Sequence, residues 1–132
     1  MQNTYTFLMF EGKAEEAMLF YTSLLEGSTI TSIERYQANE GGAEGSVKIA
    51  SFTLNDKEYK CIDSPASHGF TFTPAISLYV DCDSEEQLNI LFEKLSENGN
   101  ILMPLAEYPF SNRFGWLSDK YGVSWQLNLL TK

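Results

Sequence analysis

One arrangement constrains this chain more than any other: a strand-like run, an amphipathic helix and three further strand-like runs follow one another, and the same order then recurs. In the first half, "TYTFLMF" is a short apolar run of strand character. It leads into "EGKAEEAMLFYTSLLEGS", where Ala14, Ala17, Met18, Tyr21, Leu24 and Leu25 recur at helical spacing and Gly27 sits where a helix stops. "TITSIERYQ", the polar loop "ANEGGAEG", "SVKIASFTL" and "EYKCIDS" follow, and the last two runs read as a hairpin over Asn55 and Asp56. In the second half, "AISLYV" is a strand and "SEEQLNILFEKLSENG" a helix with Ser84 as N-cap and Gly99 as its stop. "NILMPLAEY", "RFGWLS" and "VSWQLNLL" complete it, the last two around the turn "DKYG".

The halves also overlay weakly in sequence. Shifted by 70 positions, Glu15 and Glu16 fall on Glu85 and Glu86, and Leu25 falls on Leu95; shifted by 63, the Asp56–Lys57 turn falls on Asp119–Lys120. The order of elements is the stronger argument, and it gives two βαβββ modules of about 1–66 and 72–132 within one domain spanning 1–132. A chain of 132 residues is too short for two independent large cores.

Composition then removes several function classes. A net charge of -9, with nine scattered Lys and Arg, argues against nucleic acid, whose phosphates require clustered cations. "NEGGAEG" lacks the Lys-Ser/Thr ending of a phosphate loop, and no dinucleotide fingerprint occurs. The first residues carry no basic start followed by an apolar run, and no stretch reaches the ~18 apolar residues of a spanning helix. A cytoplasmic protein without a membrane partner is therefore expected. Cys61 and Cys82 form neither a disulfide framework nor a paired-cysteine zinc site, and read as two reduced thiols.

Paired modules of this order and length resemble the glyoxalase, bleomycin-resistance and extradiol-dioxygenase superfamily, the vicinal oxygen chelate proteins. "FEGKAEEAMLFYTSLL", "FTPAISLYVDCDSEEQLNILFEKLSENG" and "PLAEYPFSNRFGWLSDKYGVSWQL" resemble its PhnB-like branch, over nearly the whole chain. The resemblance implies an α+β fold in which the two modules curl a mixed sheet into a cup. Some members of the branch carry a 3-demethylubiquinone 3-methyltransferase label. Nothing in this sequence resembles a glycine-rich S-adenosylmethionine loop, and the chain is small for the usual methyltransferase sheet, so that activity is not expected.

In metal-dependent relatives each module gives one ligand from its first strand and one from its last. The matching positions here are Tyr5 (Thr6 if the register slips by one), Asp63, Ala75 and Gln126. Ala75 has no donor atom and only Asp63 is a good ligand for a divalent ion, so neither a metal nor another cofactor is expected. His68 lies in the connector "SPASHGFTFTP" and is expected to be an exposed loop residue.

What remains is a cup lined by side chains. If Gln126 points inward, Ser124 and Asn128 do too, and Trp125 turns toward a helix. Trp116, with Phe114, Tyr108 and Phe110, is a candidate wall; ordinary packing between sheet and helix is the alternative for each aromatic. Tyr5, Phe7, Cys61, Asp63, Ala75, Ser77 and Arg113 complete the expected lining. Asp63 is the candidate general base if the cup raises its pKa, and Arg113 pairs with Asp63 or holds an anionic ligand. Cys61 reads as an inert buried thiol rather than a nucleophile. Glu15 and Glu16 read as solvent-facing carboxylates at the positive end of a helix dipole. The function expected is metal-free binding of a small organic molecule by a homodimer. The alternatives are a lyase, isomerase or dioxygenase-type enzyme with an unusual metal site or Asp63 as base, and a ligand-free scaffold.

Overall fold

The structure is a computed structural model and describes residues 1–131. It divides into two compact units, Met1–Gly69 and a second from Phe70 onward. Each contains one helix and one four-stranded mixed sheet, an α+β arrangement in the order read from the sequence.

The first unit runs β1 (Thr6–Phe10), α1 (Ala14–Leu24), β2 (Thr29–Arg35), β3 (Val47–Leu54) and β4 (Lys57–Asp63). Its sheet order is β1-β4-β3-β2, with β1 parallel to β4 and the other pairs antiparallel. Register sets Leu8 beside Cys61, Cys61 beside Ala50, Phe52 beside Tyr59 and Phe10 beside Asp63. Paired residues share a face, so these side chains line the side covered by α1. The helix buries Ala14, Ala17, Met18 and Tyr21 against it, four of the residues whose spacing marked the helix. At the β3–β4 turn, Asn55 and Asp56 adopt φ of 50° and 65°, the two left-handed residues of a type I′ hairpin.

The glycine-rich segment folds back beneath Tyr36. Gly45 N–H donates to the Tyr36 carbonyl, and Tyr36 N–H donates to the Ser46 carbonyl. A Cβ on Gly42 would stand 2.6 Å from the Tyr36 ring, so the absent side chain is what lets the loop close there.

The second unit runs β5 (Ser77–Cys82), α2 (Glu85–Ser96), β6 (Asn100–Tyr108), β7 (Ser111–Ser118) and β8 (Ser124–Leu129), in sheet order β5-β8-β7-β6 with β5 parallel to β8. Ser84 Oγ caps α2 by accepting the Gln87 N–H, while Gln87 Oε1 accepts the Asp83 N–H. The left-handed residue after α2 is Asn98, at φ 62°, rather than Gly99. Gly99 is required for a different reason: a Cβ there would lie 2.1 Å from the Ser118 carbonyl oxygen.

Leu88, Leu91, Phe92 and Leu95 of α2 pack on the sheet face that carries Leu117, Trp125 and Leu127. Trp125 is 1% exposed, and its indole N–H donates to Asp119 Oδ2 at 2.8 Å. The other oxygen of Asp119 accepts the N–H groups of Tyr121 and Val123, so one buried carboxylate ties the β7–β8 turn to the core tryptophan. Among the described residues no helix is long and apolar enough to cross a membrane.

Candidate functional site

Each sheet has a face turned away from its helix, and alternation decides which side chains stand on it. In the first unit that face carries Phe7, 54% exposed, together with Met9 and Ile49. Lys60 stands in register with both Phe7 and Ser51. Its Nζ donates to Ser51 Oγ at 2.8 Å, lies 3.3 Å from Glu58 Oε2 and sits 4.8 Å from the centre of the Tyr5 ring. Tyr5 thus shares the open face through this contact, whereas Thr6 is in register with Tyr59 on the helix side. Lys60 was not anticipated as a site residue; the period-two pattern through Cys61 could have found it.

Several expected site residues lie elsewhere. Asp63 does not face a cup: it shares the helix side with Phe10 and is 4% exposed. Its Oδ1 accepts the N–H groups of Gly12 and Ala14 at 2.9 Å each, and its Oδ2 accepts that of Val47 at 3.0 Å. The Lys13 side chain provides no cap for α1, so Asp63 supplies the acceptor that this N-terminus lacks locally. A carboxylate already shared among three backbone donors is a structural anchor, which removes the geometric basis for a general base or metal ligand there.

Cys61 is likewise fully buried on the helix side; burial, reinforced by the Asp63 charge, pushes its thiol up to about 12. Cys82 is pushed up to about 11, by burial and then by Asp81 and Asp83. Ala75 precedes β5 in an exposed turn rather than standing in the strand. Arg113 points to α2, where Nε donates to Asn89 Oδ1 at 2.8 Å and lies 3.8 Å from Glu85, so it pairs with neither Asp63 nor the open face. His68 is half-buried rather than exposed, with Nε2 2.8 Å from Ser64 Oγ. Glu15 makes a two-point pair with Arg35, which holds its carboxyl below the usual range, and Glu16 lies 3.6 Å from Lys13.

The open face of the second unit is organised in rows. Across β5, β8 and β7, register aligns Ser77, Ser124 and Ser118; then Tyr79, Gln126 and Trp116; then Asp81, Asn128 and Phe114. The expected inward set of Ser124, Gln126 and Asn128 therefore stands opposite Trp125. The polar side chains are joined. Trp116 Nε1 donates to Ser124 Oγ at 2.8 Å, the Ser124 and Ser77 hydroxyls are 2.7 Å apart, and Gln126 Nε2 donates to Ser77 Oγ at 3.1 Å. Asn128 Nδ2 donates to Asp81 Oδ1 at 2.9 Å.

Beside the rows, Tyr108 and Phe110 stack at 5.7 Å, and both rings meet Phe114 edge-on. Tyr79 closes the cluster at 6.4 Å from Phe114, 58% exposed. A pocket of about 610 Å³ opens at this end, lined by Tyr108, Phe110, Ser111 and Asn128 among others. Tyr79 was absent from the expected lining although it shares the parity of Ser77, which stands on the same face.

Donor chemistry tests whether a metal fits. Among the described residues no group of three or more His, Cys, Asp or Glu converges. The open rows offer amide and hydroxyl oxygens with one carboxylate, Asp81, already bonded to Asn128. No histidine stands in these rows, and imidazole together with several carboxylates is what a divalent transition ion favours.

Comparisons with known proteins agree with this architecture. A family model described as 3-demethylubiquinone-9 3-methyltransferase matches residues 2–128. A Bacillus cereus structure provisionally described as a 3-demethylubiquinone-9 3-methyltransferase, PhnB protein, is 63% identical, with 98% of this chain and 100% of that one covered and a TM-score of 0.95. A Pseudomonas aeruginosa protein is 24% identical over the whole of both chains, with a TM-score of 0.85. At the level of fold alone, a glyoxylase/bleomycin resistance protein/dioxygenase domain from Frankia is 14% identical, covering 99% of this chain and 98% of that one, at a TM-score of 0.66. No curated protein matches the chain.

Proposed function

We propose, from the premise that this chain belongs to the PhnB-like family with the glyoxalase and bleomycin-resistance fold, that it binds a small, partly aromatic organic molecule without a metal. The observation that carries this reading is the row of Tyr79, Gln126 and Trp116 on the open face of the second unit, an amide between two aromatic rings. Binding sites for small molecules combine apolar and aromatic walls with a few fixed polar groups, and this face has both. The family description names a methyl transfer, yet the connection from β1 to α1, Glu11-Gly12-Lys13, holds a single glycine, which favours a reading that uses no glycine-rich methyl-donor loop. We take the working form to be a homodimer in the cytoplasm; sedimentation at micromolar concentration tests the first part and cell fractionation the second.

The test uses the two indoles as internal controls. Uniformly ¹⁵N-labelled protein is titrated with a collection of aromatic fragments. The expected result is saturable movement of the Trp116 indole N–H resonance, while that of Trp125, buried against Asp119, stays in place. If no fragment moves Trp116, or fragments move both indoles together, the reading fails.

A further inference from the structure

A count of protons in the serine network says more about the ligand, on the footing of the binding reading above. Ser124 is 1% exposed, and its oxygen accepts the Trp116 N–H. A hydroxyl buried so deeply must also donate its own proton to a protein group, and the acceptor within reach is Ser77 Oγ at 2.7 Å. Ser77 Oγ then accepts twice, from Ser124 and from Gln126 Nε2, and its own proton is left to point outward from a half-buried position. Gln126 uses one amide hydrogen in this network, and its Oε1 meets no donor among the described residues. The network therefore ends in one outward donor, the Ser77 hydroxyl, beside one outward acceptor, Gln126 Oε1.

Two neighbours limit what can use that pair. Tyr79 and Trp116 flank Gln126 in register, so a flat molecule can lie along the row. The one charged side chain in the three rows is Asp81, and Arg113, the basic residue of β7, points to α2, so the face offers no counterion to an anion. We infer that the ligand of this face is an uncharged planar molecule presenting a hydrogen-bond acceptor and donor side by side, as a lactam does, with the acceptor on Ser77 and the donor on Gln126.

Three probes of similar size separate these features: 2-pyridone, its N-methyl form, which lacks the donor, and benzoate, which is an anion. Each is titrated into the intact ¹⁵N-labelled chain, and the Gln126 side-chain amide and Trp116 indole resonances are followed. 2-Pyridone is expected to move both saturably and to bind at least roughly tenfold more tightly than the other two, the worth of one lost hydrogen bond with its partner stranded. In Gln126→Met the preference over N-methyl-2-pyridone should shrink to about threefold or less, whereas Ser77→Ala should weaken 2-pyridone and N-methyl-2-pyridone alike by roughly tenfold, with the Trp125 indole unmoved as proof of an intact fold. If N-methyl-2-pyridone or benzoate binds as tightly as 2-pyridone, the donor–acceptor inference is overturned while the binding reading stands. If none of the three binds although other aromatic fragments do, the inference alone falls; if nothing binds, both fall.

Discussion

Removing the Asp63 carboxylate separates a structural anchor from a catalytic one. In Asp63→Ala, the N–H groups of Gly12, Ala14 and Val47 lose their acceptor together. A stranded buried donor costs about 1–3 kcal/mol, so the three bound the loss at about 3–9 kcal/mol. Water entering at the part-buried Gly12 end draws the expected value down to about 3–5 kcal/mol, a large share of the ~5–15 kcal/mol that holds a domain folded. Asp63→Asn retains an oxygen for Gly12 and Ala14 but turns an NH₂ toward the Val47 N–H, and should cost about 2–3 kcal/mol. Urea unfolding with unchanged slope reads both values. The same variants should bind aromatic fragments as the wild type does, because the carboxylate lies on the helix side of the sheet. An Asp63→Asn protein that is as stable as the wild type yet loses binding or any activity would refute this placement.

Other consequences follow from the same geometry. Neither cysteine should react with a thiol reagent at pH 8 in the folded protein, since their pKa values are raised to about 12 and about 11 and both are buried, while two thiols should appear at once in denaturant. Gly99→Ala should destabilise by about 1–3 kcal/mol or more in thermal or urea unfolding, because the new methyl meets a backbone carbonyl rather than a movable side chain. The Glu15 carboxyl is held below its usual 4.5 by hydrogen bonds from Arg35, so its contribution is present above that pH and is lost as pH falls through the lower folded value. Glu15→Gln should therefore flatten the acid limb of stability against pH, and added salt should shrink the difference, since the pair is exposed.

The residues show why some of this was legible in sequence and some was not. In β8 the alternation is strong, with Trp125 and Leu127 against Gln126 and Asn128, and their facing followed from sequence alone. In β4 the two parities are ambiguous: Tyr59, Cys61 and Asp63 compete with Lys60 and Ile62, and the acidic residue drew the expected lining to the parity that α1 covers. What buries Asp63 is a set of backbone donors up to 51 positions away, which no local pattern encodes. The helices differ in the same way. Ser84 announces the start of α2 locally, whereas Lys13 gives no such signal because the cap of α1 comes from another strand. Arg113 was misplaced because its partners, Asn89 and Glu85, are contributed by a helix that the strand sequence does not mention.

The measurement that bears most directly on the account is native mass spectrometry of the intact protein after exposure to zinc, nickel, manganese and ferrous iron, followed by desalting and an aromatic-fragment titration of the same samples. The account predicts chains at their unadorned mass and the same Trp116 response whether or not metal was offered. One metal per chain, retained through desalting and required for the fragment to bind, would contradict it.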